Sequence, residues 1–130
     1  GHNNRSAQFR LPQNRYCIEN RAADMTMNVY LAFSMTLSAA VEGIKKKIHP
    51  GKPTDQDLYN MTDSEFKKLG IKRLPRNLLM ALEALKKDNF SDEVIGSVMK
   101  KSLLAYKNDE WERYHQAVTD WEVKEYLRLY

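Results

Sequence analysis

The sequence predicts a mainly α-helical segment of an α+β protein: an N-terminal β-hairpin followed by a helical, bundle-like region. Three observations carry this. Arg5–Arg10 and Arg15–Arg21 are short runs with strand-type residues, separated by the turn-like Leu11-Pro12-Gln13-Asn14. From Thr26 onward apolar residues recur at helical spacing, punctuated by two capping-box patterns. Finally, a two-stranded hairpin with one charged face is marginal in water, so its strands are expected to belong to a larger sheet outside this sequence.

If Arg10 and Arg15 close the hairpin, Gln8 faces Cys17 and Ser6 faces Glu19. Directly opposed residues share a sheet face. Arg10, Arg15, Glu19 and Arg21 then lie on one face with Ser6, Gln8 and Cys17, while Ala7, Phe9, Tyr16 and Ile18 form a core-like face. Arg5 falls on the apolar side of a regular strand, so it either precedes the strand or is re-aimed by a bulge. Cys17 is expected to be a small buried side chain.

A long helix is predicted from Thr26 to about Ile48, with Asp24 or Thr26 as N-cap and Gly51 and Pro53 closing its exit. Its first part is apolar all round, which predicts a buried central helix; Lys45-Lys46-Lys47 forms a solvated last turn that favours the helix dipole. After the 49–56 loop, Thr62-Asp63-Ser64-Glu65 opens a short helix that Gly70 stops. Leu74-Pro75 introduces a helix to about Asp88, and Ser91 begins a further turn. A longer helix runs from Ser97 to Val118, with Met99, Leu103, Tyr106, Trp111, Tyr114 and Val118 as a core-like stripe. Thr119-Asp120-Trp121-Glu122 caps a last helix, with Val118 and Val123 placed for a hydrophobic staple. The aromatic residues at its end are a candidate oligomer contact.

The chain has 130 residues, a net charge of +4 and one cysteine. One cysteine excludes an internal disulfide framework and fits a reducing compartment. No secretory signal precedes the apolar run Val29–Ile44, which is too short and too interrupted to span a bilayer. A cytoplasmic location without membrane association is therefore expected. The lysines are scattered among acidic residues and no nucleic-acid-binding motif is present, which argues against nucleic acid as a partner. Walker-type loops, paired cysteines, zinc-spaced histidines and a serine-nucleophile elbow are all missing. Chemistry, if any, falls to the arginines and Glu19.

Guanidinium forks bind phosphate oxygens bidentately and keep their proton, so clustered arginines suit a polyphosphate or a transferring phosphoryl group. A glutamate among them is a hard oxygen donor for Mg²⁺ or Mn²⁺. On the residues alone two readings stand: a phosphate and metal wall, or a surface hairpin whose Glu19 pairs with cross-strand arginines.

Asn4-Arg5-Ser6-Ala7-x-x-Arg10-x-Pro12, then Glu19-x-Arg21-x-x-Asp24-x-x-x-Asn28-x-Tyr30-Leu31-Ala32, resembles the glutamine synthetase family, which carries N-R-S-A-x-x-R-x-P and E-x-R-x-x-D-x-x-x-N-P-Y-L-A. The similarity continues through Glu42-Gly43-Ile44, Leu74-Pro75-x-x-Leu78-x-x-Ala81-Leu82 and Trp121-Glu122-x-x-x-Tyr126-Leu127, covering nearly the whole chain. It implies that residues 1–130 are the C-terminal part of a catalytic domain, with active-site strands over 1–24 and a helical region over 25–130. It also implies ATP-dependent ligation of glutamate and ammonia through γ-glutamyl phosphate, with Mg²⁺ or Mn²⁺ as cofactor and a homo-oligomeric full-length protein. Carried over by position, Arg5 and Arg21 are the catalytic residues, Arg5 on the transferring phosphoryl group and Arg21 on substrate and γ-phosphate oxygens. Arg10 binds the ATP phosphates, and Glu19 ligates metal.

The sequence departs from the family pattern at three points, one of them a short connection between the two motifs. Cys17 stands where the family usually has an ATP-contacting arginine, leaving Arg15, two residues further back, as the candidate ATP/phosphate-binding substitute. Val29 replaces the usual proline after Asn28. These features, with Trp111-Glu112-x-Tyr114-His115 and Asp120-Trp121-Glu122, resemble the branch that includes γ-glutamylmethylamide synthetases, so methylamine is the alternative acceptor. A helical assembly or interaction module without activity of its own is the reading outside enzymology. By itself the segment is expected not to catalyse ligation.

Overall fold

In a computed structural model, residues 2–129 are described. Among them run two short strands, β1 (Phe9–Arg10) and β2 (Glu19–Asn20), and six helices: α1 (Val29–Lys45), α2 (Asp63–Lys68), α3 (Leu78–Lys87), α4 (Asn89–Ile95), α5 (Ser97–Gln116) and α6 (Asp120–Tyr126). The chain divides into two compact units, Gly1–Leu74 and Pro75–Tyr130.

In the first unit, β1 and β2 pair antiparallel with Phe9 opposite Asn20 and Arg10 opposite Glu19. The expected register, Arg10 against Arg15 across a four-residue turn, does not form, and the connection is residues 11–18 instead. Electrostatics explains the choice. The expected register sets two guanidinium groups opposite each other, whereas the observed one sets a guanidinium against a carboxylate. A slip of four residues is even, so Gln8, Arg10, Glu19 and Arg21 stay on the common face predicted for them. The longer connection leaves Tyr16, Cys17 and Ile18 exposed, with Phe9 exposed on β1, so neither the apolar face nor the buried cysteine is realised.

Helix α1 begins at Asn28, whose side-chain oxygen accepts from the Leu31 N–H at 3.1 Å. Asp24 instead accepts from the Thr26 N–H and hydroxyl in a turn ahead of the helix. None of α1 is buried; Tyr30, Phe33, Leu37, Val41 and Ile44 are all exposed. The expectation of a buried central helix is thus not met, because among the described residues no other element of the first unit covers its apolar faces. The helix ends before Gly51: Ile48 N–H bonds to Gly43 O (2.9 Å) and Lys47 N–H to Ile44 O (3.1 Å), with Lys47 at φ 51°. This is a Schellman turn with lysine in the left-handed position that glycine occupies without strain. Gly70, at φ 65°, takes the corresponding position after α2, whose Thr62–Glu65 capping box forms in full. Lys47→Gly is expected to stabilise the chain by about 0.5–1 kcal/mol, the left-handed penalty less glycine's larger unfolded-state entropy. Urea unfolding reads the difference.

In the second unit, α3 and α4 each pack on α5. Leu82 and Ser91 are buried there, as is Lys100 on α5. Asp88 ends α3 and caps α4, accepting from the Ser91 N–H at 2.9 Å, and Gly96 separates α4 from α5. The α5 stripe is core only in part: Leu103 and Trp111 are half-buried, while Met99, Tyr106, Tyr114 and Val118 are exposed. The Thr119–Glu122 capping box forms, but exposed Val118 and Val123 do not read as a closed staple.

Candidate functional site

The hairpin gathers its charges around Glu19. Arg10 Nη1 donates to Glu19 Oε2 at 2.8 Å and Arg15 Nη2 to Glu19 Oε1 at 2.5 Å, while Arg21 Nη1 lies 4.0 Å from Oε2. The side chains of Arg10 and Glu19 are only 18% and 21% exposed, so this cross-strand pair is partly desolvated and outweighs the 62%-exposed Arg15 contact. Arg15 reaches the cluster from the connection, one helical-type i,i+4 spacing from Glu19, rather than from a strand. Arg10 also donates through Nη2 to Asn3 (3.1 Å), and its buried Nε–H has no acceptor among the described residues.

Hydrogen bonds from Arg10 and then Arg15 hold the Glu19 carboxyl below the usual carboxylate range, and the Glu19 bond raises Arg15. A carboxyl whose folded pKa is lowered contributes stability that is present above its unfolded value and lost as pH falls through the lowered one. The cluster is therefore intact at neutral pH and opens only in acid.

Arg5 and Arg21 sit on the other side of Gln8. The β-ladder runs on through Arg21 N–H to Gln8 O at 2.8 Å, which brings Arg21 beside the N-terminal segment. Arg21 Nε donates to Arg5 O at 2.9 Å. The two arginines line an open cleft of about 170 Å³ with Ser6, Ala7, Gln8, Ala22, Tyr59 and Leu74. Among the described residues the Arg5 guanidinium makes no hydrogen bond or ion pair, and Arg21 spends Nε on a backbone oxygen and holds Glu19 only at the long distance of 4.0 Å. These are the donors open to an incoming anion. Arg5 needs no bulge, since it precedes β1, one of the two alternatives open for it in the sequence.

A divalent cation needs more than this segment holds. Mg²⁺ takes about six oxygens. Glu19 is the one carboxylate in the cluster, both its oxygens are ion-paired, and no group of three potential ligands occurs among the described residues. These residues do not make a metal site by themselves. What the cluster does gather is three guanidinium groups, those of Arg10, Arg15 and Arg21, around one carboxylate.

Sequence reasoning missed the loop that follows α1. Asn4 donates to Thr54 O and Gln56 O, Ser6 accepts from the Leu58 N–H, and Tyr59 donates to Arg5 O. Neither periodicity nor spacing signals contacts fifty residues apart. Only the turn residues of the loop hint at a fixed conformation.

An arginine-lined open cleft near an ion-paired carboxylate, carried on a hairpin ahead of helices, is the architecture of a segment of an α+β domain. The family profile of the glutamine synthetase catalytic domain matches residues 1–126, and the chain belongs to that family of ligases. The glutamine synthetase of Methanocaldococcus jannaschii is 40% identical over 127 residues, covering 95% of this chain and 28% of the relative. A glutamate–methylamine ligase of Methyloversatilis universalis is 38% identical over 130 residues, covering all of this chain and 29% of the relative. A solved structure of apo GmaS without ligand superposes with a TM-score of 0.78 at 31% identity, covering 97% of this chain and 28% of that one. The chain thus spans somewhat more than a quarter of the length of these relatives. No helix among the described residues is long and apolar enough to cross a membrane.

Proposed function

We propose that the chain is the C-terminal, phosphate-handling part of the catalytic domain of a cytoplasmic, ATP-dependent glutamate–amine ligase. The observation that carries this is the pairing of Arg5 and Arg21 through the Arg5 carbonyl, with both residues lining one open cleft. In such a ligase the γ-phosphoryl group of ATP moves to the glutamate side-chain carboxylate, and an amine then attacks the acyl carbon and releases phosphate. Charge on the transferring oxygens is spread over three positions, so fixed forked donors lower the barrier by positioning and electrostatics. Arg5 holds the transferring group, and Arg21 bridges it to the substrate carboxylate. Arg10 and Arg15 supply positive potential for the ATP phosphates; they are held by Glu19, and reach an anion by exchanging its oxygens.

Mg²⁺ or Mn²⁺ would supply Lewis-acid charge neutralisation. Glu19 offers it one oxygen, with the other donors coming from residues beyond this segment. The uncovered apolar faces of α1 fit the same reading, since the remainder of a full-length catalytic domain gives them something to pack against. Membership of the family favours a homo-oligomeric full-length enzyme.

Cys17 in place of the family arginine, Val29 after Asn28, and the methylamine ligase among the relatives favour a second reading in which methylamine is the acceptor. Measuring kcat/KM of the full-length protein for ammonia and methylamine separates the two, and the preferred amine is expected to win by at least about tenfold. ADP release with neither amine preferred would count against both. The 130-residue chain alone is expected to release no amine-dependent ADP.

A further inference from the structure

The contacts that fix Asn4–Ser6 come from one loop, residues 54–59, which belongs to the same compact unit. Asn4 uses every hydrogen-bonding position of its amide. Its Nδ2 donates to Thr54 O at 2.7 Å and Gln56 O at 2.9 Å, and its Oδ1 accepts from the Ser6 N–H at 2.9 Å and hydroxyl at 2.6 Å. The Ser6 Oγ in turn accepts from the Leu58 N–H at 2.9 Å. At the end of the loop, the Tyr59 hydroxyl donates to Arg5 O at 3.1 Å, the same oxygen that accepts from Arg21 Nε. A carbonyl oxygen has two lone pairs. Here the loop takes one and Arg21 the other.

We infer that Tyr59 is a positioning residue for Arg5 and Arg21, working through the Arg5 carbonyl, with Asn4 as the second anchor of the same clamp. The inference rests on the phosphate-handling reading of the cleft. By occupying one lone pair, Tyr59 fixes the orientation of the Arg5 peptide plane and so the direction of the other lone pair. That direction sets where Arg21 Nε is held, and with it the aim of the terminal guanidinium nitrogens. Asn4 stops the segment from swinging away from the loop, so Arg5 stays on the cleft. Tyr59 lines the cleft but needs no contact with a reacting atom, and small misplacements of a positioned group are costly in rate.

The test is a double-mutant cycle in the full-length enzyme with Tyr59→Phe, which removes one hydroxyl, and Arg21→Lys, which keeps the charge and removes Nε. Tyr59→Phe is expected to lower kcat by about tenfold while KM for ATP changes less than about twofold. In the Arg21→Lys background the same substitution is expected to cost less than about twofold, since the oxygen it steers then has no guanidinium to aim. Asn4→Asp keeps the acceptor for Ser6 and replaces the two-carbonyl donor; it is expected to show the same kcat loss and the same non-additivity, and decides the matter if Tyr59→Phe does not fold. Losses that multiply across the two backgrounds overturn the inference, because they mark a general structural role. A neutral Tyr59→Phe beside an impaired Arg21→Lys overturns the clamp and leaves the phosphate reading intact. Parent-level activity in Arg21→Lys and in Arg21→Ala defeats the phosphate reading itself.

Discussion

Arg21→Ala in the full-length enzyme is expected to lower the rate of phosphoryl transfer by about 10²–10³-fold, the usual loss when one fixed donor to a developing charge is removed. The Arg21 side chain hydrogen-bonds the protein only through Nε, and its ion pair with Glu19 is a long contact of 4.0 Å, so its terminal donors are only weakly engaged. It also sits on the strand extension, held by the Arg21 N–H to Gln8 O bond, and a backbone bond survives side-chain truncation. Fold stability is therefore expected to change little, and the loss to fall on kcat rather than on protein yield. Rapid-quench measurement of ADP formation in a single turnover isolates the phosphoryl step from product release. A rate within about threefold of the parent would return the hairpin to a surface array of ion pairs.

How far the sequence alone could go is clearest in the hairpin. The shared face of Arg10, Glu19 and Arg21 was legible because strand alternation has a period of two and survives any even slip. The register was not, because it depends on which charges oppose each other, and the turn-like Leu11–Asn14 pointed to a tighter connection. Capping boxes at Thr62 and Thr119 were legible since each is satisfied within four residues. Burial was the weak point. The apolar faces of α1 predicted a buried helix, but burial needs a partner, and a sequence pattern shows only the demand for one. The Asn4 and Tyr59 contacts lay beyond reach for a related reason: polar residues in loops carry no period, so nothing in the string pairs residue 4 with residue 54.

Lys100 makes the same point from the other side, and its removal is expected to destabilise the second unit. A lysine scattered among acidic helical residues carries no signal of burial, yet the Lys100 side chain is 7% exposed. Its Nζ donates to Asp92 Oδ2 and to Asp88 O, both at 2.6 Å. Asp88 O also accepts from the buried Ser91 hydroxyl at 2.7 Å, so α5 is tied to the junction where α3 ends and α4 begins. Lys100→Met keeps most of the apolar stem and removes the charge. It leaves Asp92 without its partner and Asp88 O with one bond in place of two. Breaking a fully buried pair costs about 3–5 kcal/mol; because Asp92 is 40% exposed and water can take over part of the bond, about 2–3 kcal/mol is the expected loss. Asp92→Asn alone should cost less, and the double variant less than the sum of the two, since the partners share one interaction. Urea denaturation of the 130-residue chain measures all three, and a Lys100→Met loss below about 0.5 kcal/mol would mean that the stem's packing, rather than its charge, holds the junction.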